Sequence, residues 1–466
     1  MRRAETIVKS IDDRAIGKPL ADRSVLYVAA ATSKKALGDF ARELPRARAG
    51  RVLWVETESA LDETQAALRE GGDGVRAVCL IGDHRTLPFA RLDDPCGFDS
   101  ALLSDSPYGM HRTPSLEERF AGELLPLVPV TRVPALDGRL VERLLGAAED
   151  DARERSWRGG VVVSAAVWRE ATTAVLRSLE TDVDLTLSPP GARGDVEDQL
   201  SRRPARVLFN VHGTDQDAVW LGEGEGVFPE VLRVADVNVA DNALVVSEAC
   251  YGASLADGGD AIAPRFLAAG ASCFFGSTII AWGSSRGGPP ALADDLAREI
   301  FHALDAGDDA GQALARARHA LLEAALSSGE GLSAPLHNTL LSFVAYGAPG
   351  RATDLGQGKV TSAQRSDVLA EARESLRRRM APAAWRLVSS GRVAFAALAQ
   401  TYGAMVTDAL RDLLGATPAD ARVVKYLAIS GERATVLASA RSGGRVRHAI
   451  VELTAAGQVA RRLVSR

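Results

Sequence analysis

Cysteine is scarce in this chain of 466 residues: only Cys79, Cys96, Cys250 and Cys273 occur, too few and too scattered for a disulfide framework. Seven histidines are dispersed, and none keeps His or Cys partners at zinc-site spacing, so no metal or other cofactor is expected. Aromatic residues make up 5% and do not interleave with the basic ones, which speaks against a stacking surface for nucleic acid. No apolar run approaches the roughly 20 residues that cross a bilayer, so no membrane partner is expected. Behind Arg2, Arg3 and Lys9 no apolar stretch precedes Asp12 and Asp13, so no secretory leader is expected. With so little cysteine, the expected compartment is the reducing cytosol. Gly222-Glu223-Gly224-Glu225-Gly226 has glycines but no Lys-Ser/Thr behind them, which excludes a phosphate-cradling loop.

Hydrophobic residues are 46% and charged residues 25%, ordinary for a globular chain, and the length asks for two or three domains. The net charge of −5 is unevenly spread. Residues 351–466 hold 19 Lys and Arg against 9 Asp and Glu, a net of +10, which leaves −15 for the rest. Two surfaces of opposite sign that dock on each other account for this, ahead of a nucleic-acid partner for the basic part.

Short apolar runs recur at Ser24–Ala31, Arg51–Val55, Ala77–Ile81, Val161–Ala165, Val207–Val211, Leu244–Ala249 and Ser272–Gly276. They are near-continuous rather than alternating, as strands buried on both faces are. Residues 33–46, 60–70, 136–155, 169–180, 260–269 and 291–326 read as helices between or beside them. Alternating strands and helices predict an α/β fold with a mainly parallel sheet. Two such stretches give domains at 1–158 and 159–350. Beyond a polar linker at about 352–361 the pattern changes. Helices at 363–380 and 393–414 precede four runs, 422–429, 433–440, 445–453 and 458–464, parted by turns at Ser430-Gly431, Ser442-Gly443-Gly444 and Ala456-Gly457. This predicts an antiparallel meander, and so an α+β module at 351–466.

Two strand ends carry chemistry. Val207 to Val211 runs into His212-Gly213, and Leu244 to Ala249 runs into Cys250-Tyr251-Gly252. Ligand crevices of open α/β sheets lie outside the carboxyl ends of the strands, so adjacent parallel strands would present His212 and Cys250 together. An imidazole can take the thiol proton, and the thiolate is the nucleophile. Gly213 lets a carbonyl approach its backbone NH, which with that of Cys250 would form an oxyanion hole. Cys79 and Cys273 sit within apolar runs and read as core; Cys96 is ambiguous in a loop. Asp215 and Asp217 read as solvated loop acids.

The segment resembles the caspase-like cysteine peptidases, most closely the gingipain family and the related CHAT group, whose strands end in His-Gly and Ala-Cys. The run Ser272–Thr278 followed by Ile279–Trp282 is similar to their substrate-lining strand. Leu80-Ile81-Gly82-Asp83-His84, Leu87-Pro88, Ser104–Gly109 and Pro129–Val133 are similar to the non-catalytic subdomain. The resemblance covers roughly residues 20–350. It implies a caspase-like α/β/α sandwich and a cysteine endopeptidase without cofactor. It also implies regulation by cleavage or by an activating partner, and one dedicated protein substrate in a bacterial defence or cell-death system. Glu248 would face the pocket for the residue before the scissile bond and favour Arg or Lys there, or else pair with a structural arginine. Trp282 would form a pocket wall, and Glu170 a pocket or histidine-orienting acid. The alternative is a catalytically silent scaffold of the same fold.

Overall fold

The computed structural model describes residues 25–38, 41, 51–71, 74–134, 138–147, 157–181, 183–215, 218–255, 261–328, 331–349, 371–372, 374, 386–428, 431–442 and 445–466. The expected linker, most of the helix at 363–380, parts of those at 33–46 and 136–155, the Gly443-Gly444 turn and Asp217 lie outside them.

Ten strands form one sheet in the order Arg51–Val55, Val25–Ala30, Ala77–Ile81, Val130–Val133, Phe343–Gly347, Cys273–Ser277, Leu244–Ser247, Arg206–Asn210, Val161–Ala165, Leu185–Ser188. The first five are mutually parallel, and so are the last five. The halves meet at one antiparallel pair, with Phe274 opposite Tyr346. The two predicted α/β stretches therefore share a single sheet and run in opposite senses. Successive side chains show why the strands are apolar throughout. Val162, Leu208, Val246 and Phe275 enter the core on one face with helices Arg169–Ser178, Ala293–Asp305 and Ala310–Ser327. Val161, Val163, Val207, Phe209, Val245 and Phe274 enter the core on the other, with Gly138–Ala147, Arg193–Ser201 and Ile262–Ala269. The result is an α/β/α sandwich.

Two strands of this sheet escaped the sequence reading. Leu185–Ser188 is a half-buried edge strand, and Phe343–Gly347 follows helix Ala334–Ser342 without a loop. The single helix expected over 291–326 is two, broken at Gly307 (φ +90°) and restarted by a capping box in which Asp309 accepts from the Gln312 amide at 2.9 Å.

The predicted meander is present as Asp420–Ala428, Gly431–Ser442, Arg445–Leu453 and Val459–Ser465, all antiparallel. Arg386–Ala394 adds an outer strand, and the expected second helix is a pair, Phe395–Tyr402 and Ala404–Leu414, broken at Gly403 (φ +84°). This sheet is separate from the large one, yet not free of it. Val423, Val436, Ala449 and Val451 face the helix pair, while Val424, Leu437, Ile450 and Leu463 join the core of the α/β part. Its far edge pairs with Trp282–Ser284, a strand of the α/β part, in register Trp282–Ser465, Gly283–Val464 and Ser284–Leu463.

Candidate active site

The parallel pairing of Arg206–Asn210 with Leu244–Ser247 sets Ser247 beside Phe209, and the Glu248 amide donates to the Phe209 carbonyl at 2.8 Å. His212 and Cys250 follow at neighbouring ends of this pair. His212 is fixed by a two-way backbone bridge to Leu221, at 2.8 and 2.9 Å. Gly213 lies against the cysteine segment so closely that a Cβ there would stand 2.0 Å from the Cys250 carbonyl oxygen. Only glycine permits that approach.

His212 Nε2 bonds Glu223 Oε2 at 2.8 Å, and the ring lies 4.6 Å from that of Trp168. Burial lowers the imidazole pKa below its ordinary value; Glu223 opposes this, and Arg466 and Arg447 reinforce it. Glu223 stays below the usual carboxylate range: its bonds to His212 and Arg447 outweigh its own burial. The sequence reading missed Glu223, although its flanking glycines carried a signal. A Cβ at Gly222 would fall 2.2 Å from Ser188 Oγ and one at Gly224 2.7 Å from Pro189, so the Gly-Glu-Gly spacing lets this hairpin cross a second chain segment.

Cys250 is 3% exposed, and its Sγ accepts from the Ala281 amide at 3.3 Å. Burial pushes its pKa up to about 12, against the opposing pull of the Ala281 and Arg466 backbone and the Arg466 guanidinium. Next to it Tyr251 adopts φ +53° and donates from its hydroxyl to Asp99 at 2.6 Å.

Beside the thiol is a pocket filled by a side chain from the far end of the chain. The Arg466 guanidinium lies 4.1 Å above the Trp168 ring and pairs with Asp294 at 2.6 Å, all three side chains fully or nearly fully buried. It also donates to the Ser284 carbonyl at 3.3 Å, and its Nε stands 3.9 Å from Glu248. Asp294 opens helix Ala293–Asp305 and accepts from the amides of Ser284 and Ala291 and from Asn210 Nδ2, each at 3.0 Å. Glu248 is fully buried, and burial first, then the neighbouring Asp294, raise its pKa well above the carboxylate range. Both influences disfavour the charged form of Glu248. Gly283 forms the bed, since a Cβ there would fall 2.0 Å from the guanidinium.

Of the predicted residues, the structure thus brings His212, Gly213, Cys250 and Glu248 together. Trp282 supplies backbone to the cleft edge, but its ring packs on Phe98 at 5.5 Å; the aromatic wall under the guanidinium is Trp168. Glu170 is exposed in the first turn of its helix, turned away by the 3-10 segment Ala166–Trp168 that turns Trp168 inward. His212 is oriented by Glu223 instead. Cys79, Cys96 and Cys273 are buried and outside any disulfide, and Asp215 is exposed. Among the described residues no group of three His, Cys, Asp or Glu is placed to hold a metal.

Fold and site together define a caspase-like α/β/α protein with a histidine and a cysteine at neighbouring strand ends. No protein-family model and no curated protein matches the sequence. Among solved structures the chain is similar to gingipain R (RgpB), described as an Arg-specific cysteine proteinase. The TM-score is 0.51 at 11% identity, over 96% of this chain and 92% of that one. The complex of Porphyromonas gingivalis RgpB pro- and mature domains gives 0.49 at 12% identity, over 95% and 92%. At such identity the first likeness shows the fold, and it extends through the C-terminal sheet. Among the described residues no helix is long and apolar enough to cross a membrane.

Proposed function

We propose that the chain is a cysteine endopeptidase that cuts after arginine. The observation that carries this is a buried pocket, built around Asp294 and Trp168, that holds a guanidinium next to the Cys250 thiol. In this reading Cys250 Sγ attacks the scissile carbonyl and passes its proton to His212. Glu223 occupies Nε2, which leaves Nδ1 as the accepting nitrogen. The backbone NH groups of Gly213 and Cys250 hold the oxyanion. The C–N bond breaks as His212 protonates the leaving amine, and water then releases the acid from the thioester. The likeness to an Arg-specific proteinase agrees with this reading. The family resemblance adds that the enzyme is regulated and acts on a dedicated protein in a bacterial defence or cell-death system.

The test is hydrolysis of single-residue fluorogenic amides of Arg, Lys, Asn, Asp or Leu by an Arg466→Ala chain, whose side-chain pocket is vacated. Cleavage after Arg that disappears with Cys250→Ala supports the reading. Cleavage after Asp or Leu would keep the chemistry and discard the pocket. Absence of all cleavage would favour the silent scaffold, to which the buried, largely protonated thiol also fits.

A further inference from the structure

The strand that ends in Arg466 lies in the cleft as a polypeptide substrate would. A peptide bound by strand addition takes its affinity from main-chain bonds to an exposed edge and its specificity from pockets for alternate side chains. Val459–Ser465 runs antiparallel to Trp282–Ser284, and the Arg466 amide continues the ladder by donating to the Ala281 carbonyl at 3.1 Å. That brings the Arg466 backbone against the Cys250 sulfur, which also accepts the Ala281 amide. Its side chain fills the acidic pocket, stacked on Trp168 and paired with Asp294. Neighbouring arginines do otherwise: Arg461 pairs with Glu452 inside the C-terminal sheet, and Arg462 is exposed.

We infer that residues 459–466 are a substrate-like occupant of the chain's own cleft, with Arg466 in its pocket, so that this state is closed to other polypeptides until the strand withdraws. The inference rests on the peptidase reading for its meaning, but not for its test. A tethered occupant acts at an effective concentration of about millimolar. If its own affinity for the pocket is about 10 μM, such an occupant weakens the apparent binding of a free competitor roughly a hundredfold.

A single-residue probe is required, because the strand backbone still covers Trp282–Ser284 when only its last side chain is changed. Binding of N-acetyl-arginine amide is measured by calorimetry to the unmodified chain, to Arg466→Ala and to Arg466→Met, which keeps an apolar stem over Trp168 if the alanine chain fails to fold. In parallel, labelling of Cys250 by an N-acetyl-arginyl acyloxymethyl ketone is followed by mass. The expected result is binding to the variants about a hundredfold tighter than to the unmodified chain, with labelling faster to match. Equal binding to all three chains overturns the inference and leaves the peptidase reading standing where Cys250 is labelled. Binding to none of them overturns it as well. Tight binding to the variants without labelling upholds the occupied pocket and sinks the peptidase.

Discussion

Asp294 and Glu248 both border the pocket, and the structure gives them opposite roles. Asp294 Oδ1 takes the Arg466 guanidinium and Asn210, while Oδ2 takes the Ser284 and Ala291 amides. An Asp294→Asn side chain must turn its NH2 toward one of these donor pairs, whichever way it is flipped. It also replaces a carboxyl group by a neutral amide at a buried site. Truncating one partner of a buried charge pair costs about 2–5 kcal/mol, and each 1.4 kcal/mol is tenfold. The expected fall in kcat/KM for an arginyl peptide is therefore about 30-fold to several thousandfold, measured in the Arg466→Ala background. Glu248→Gln is nearly isosteric and puts a neutral amide where burial already disfavours a charged carboxylate, so its effect should stay within about threefold. The assay is steady-state hydrolysis of arginyl and lysyl substrates by the three chains. If Glu248→Gln were the damaging change and Asp294→Asn the mild one, the charge would reside on Glu248 and the argument would be wrong.

Gly213→Ala should abolish labelling of Cys250, because its Cβ would meet the Cys250 carbonyl at 2.0 Å with backbone on both sides; a urea melt should show about 1–3 kcal/mol lost to overpacking. His212, followed by NMR of its ring nitrogens, should titrate below the ordinary imidazole value, and Glu223→Gln should lower it further by removing the group that opposes burial. Folding then favours the neutral ring, so the unfolded chain binds the proton first and stability falls as pH drops below about 6.5; a His212 that titrated above that value would contradict the assignment. Arg132 is fully buried, pairs with Asp105 and donates to the carbonyls of Gly82, Asp83 and Leu87; Arg132→Met should cost about 3–5 kcal/mol in a urea melt with little change at Cys250, and a cost below about 1 kcal/mol would deny the pair its bracing role.

The nearness of His212 to Cys250 was legible because reactive residues at the ends of continuous apolar strands are rare, and parallel neighbours bring such ends together. The upstream motif was legible as a pattern but not as a cause: Asp105 and Tyr108 reach Arg132 and Pro88, contacts between loops that no local spacing encodes. The pocket was not legible. Its parts come from the turn after Val161–Ala165, from Ser247-Glu248, from Gly283 and Ser284, from a helix start at Asp294 and from Arg466, and only the sheet brings them together. Glu248 was read as the charge because sequence shows a carboxyl group and not its burial. Glu170 was placed at the pocket by the family resemblance alone, and the 3-10 turn Ala166–Trp168 instead leaves it in solvent and turns Trp168 inward.

The uneven charge along the chain has a structural counterpart at the dyad. Two basic residues of the C-terminal part meet acids of the α/β part there: Arg447 grips Glu223, and Arg466 pairs with Asp294. Both cations lower the His212 pKa, and burial under the same strand raises that of Cys250. The closed state therefore drives the two groups apart, toward neutral imidazole and neutral thiol. Withdrawal of residues 459–466 would leave Arg447 in place but take Arg466 away and admit water. Loss of that nearby cation and entry of water raise the imidazole pKa, and the same water lowers that of the thiol. Loss of the Arg466 charge works against the second change, but burial is the largest influence on Cys250 and the guanidinium one of the smaller ones. In the inferred scheme, opening the cleft and arming the dyad are thus one event, because the segment that occupies the pocket also keeps the proton on the sulfur.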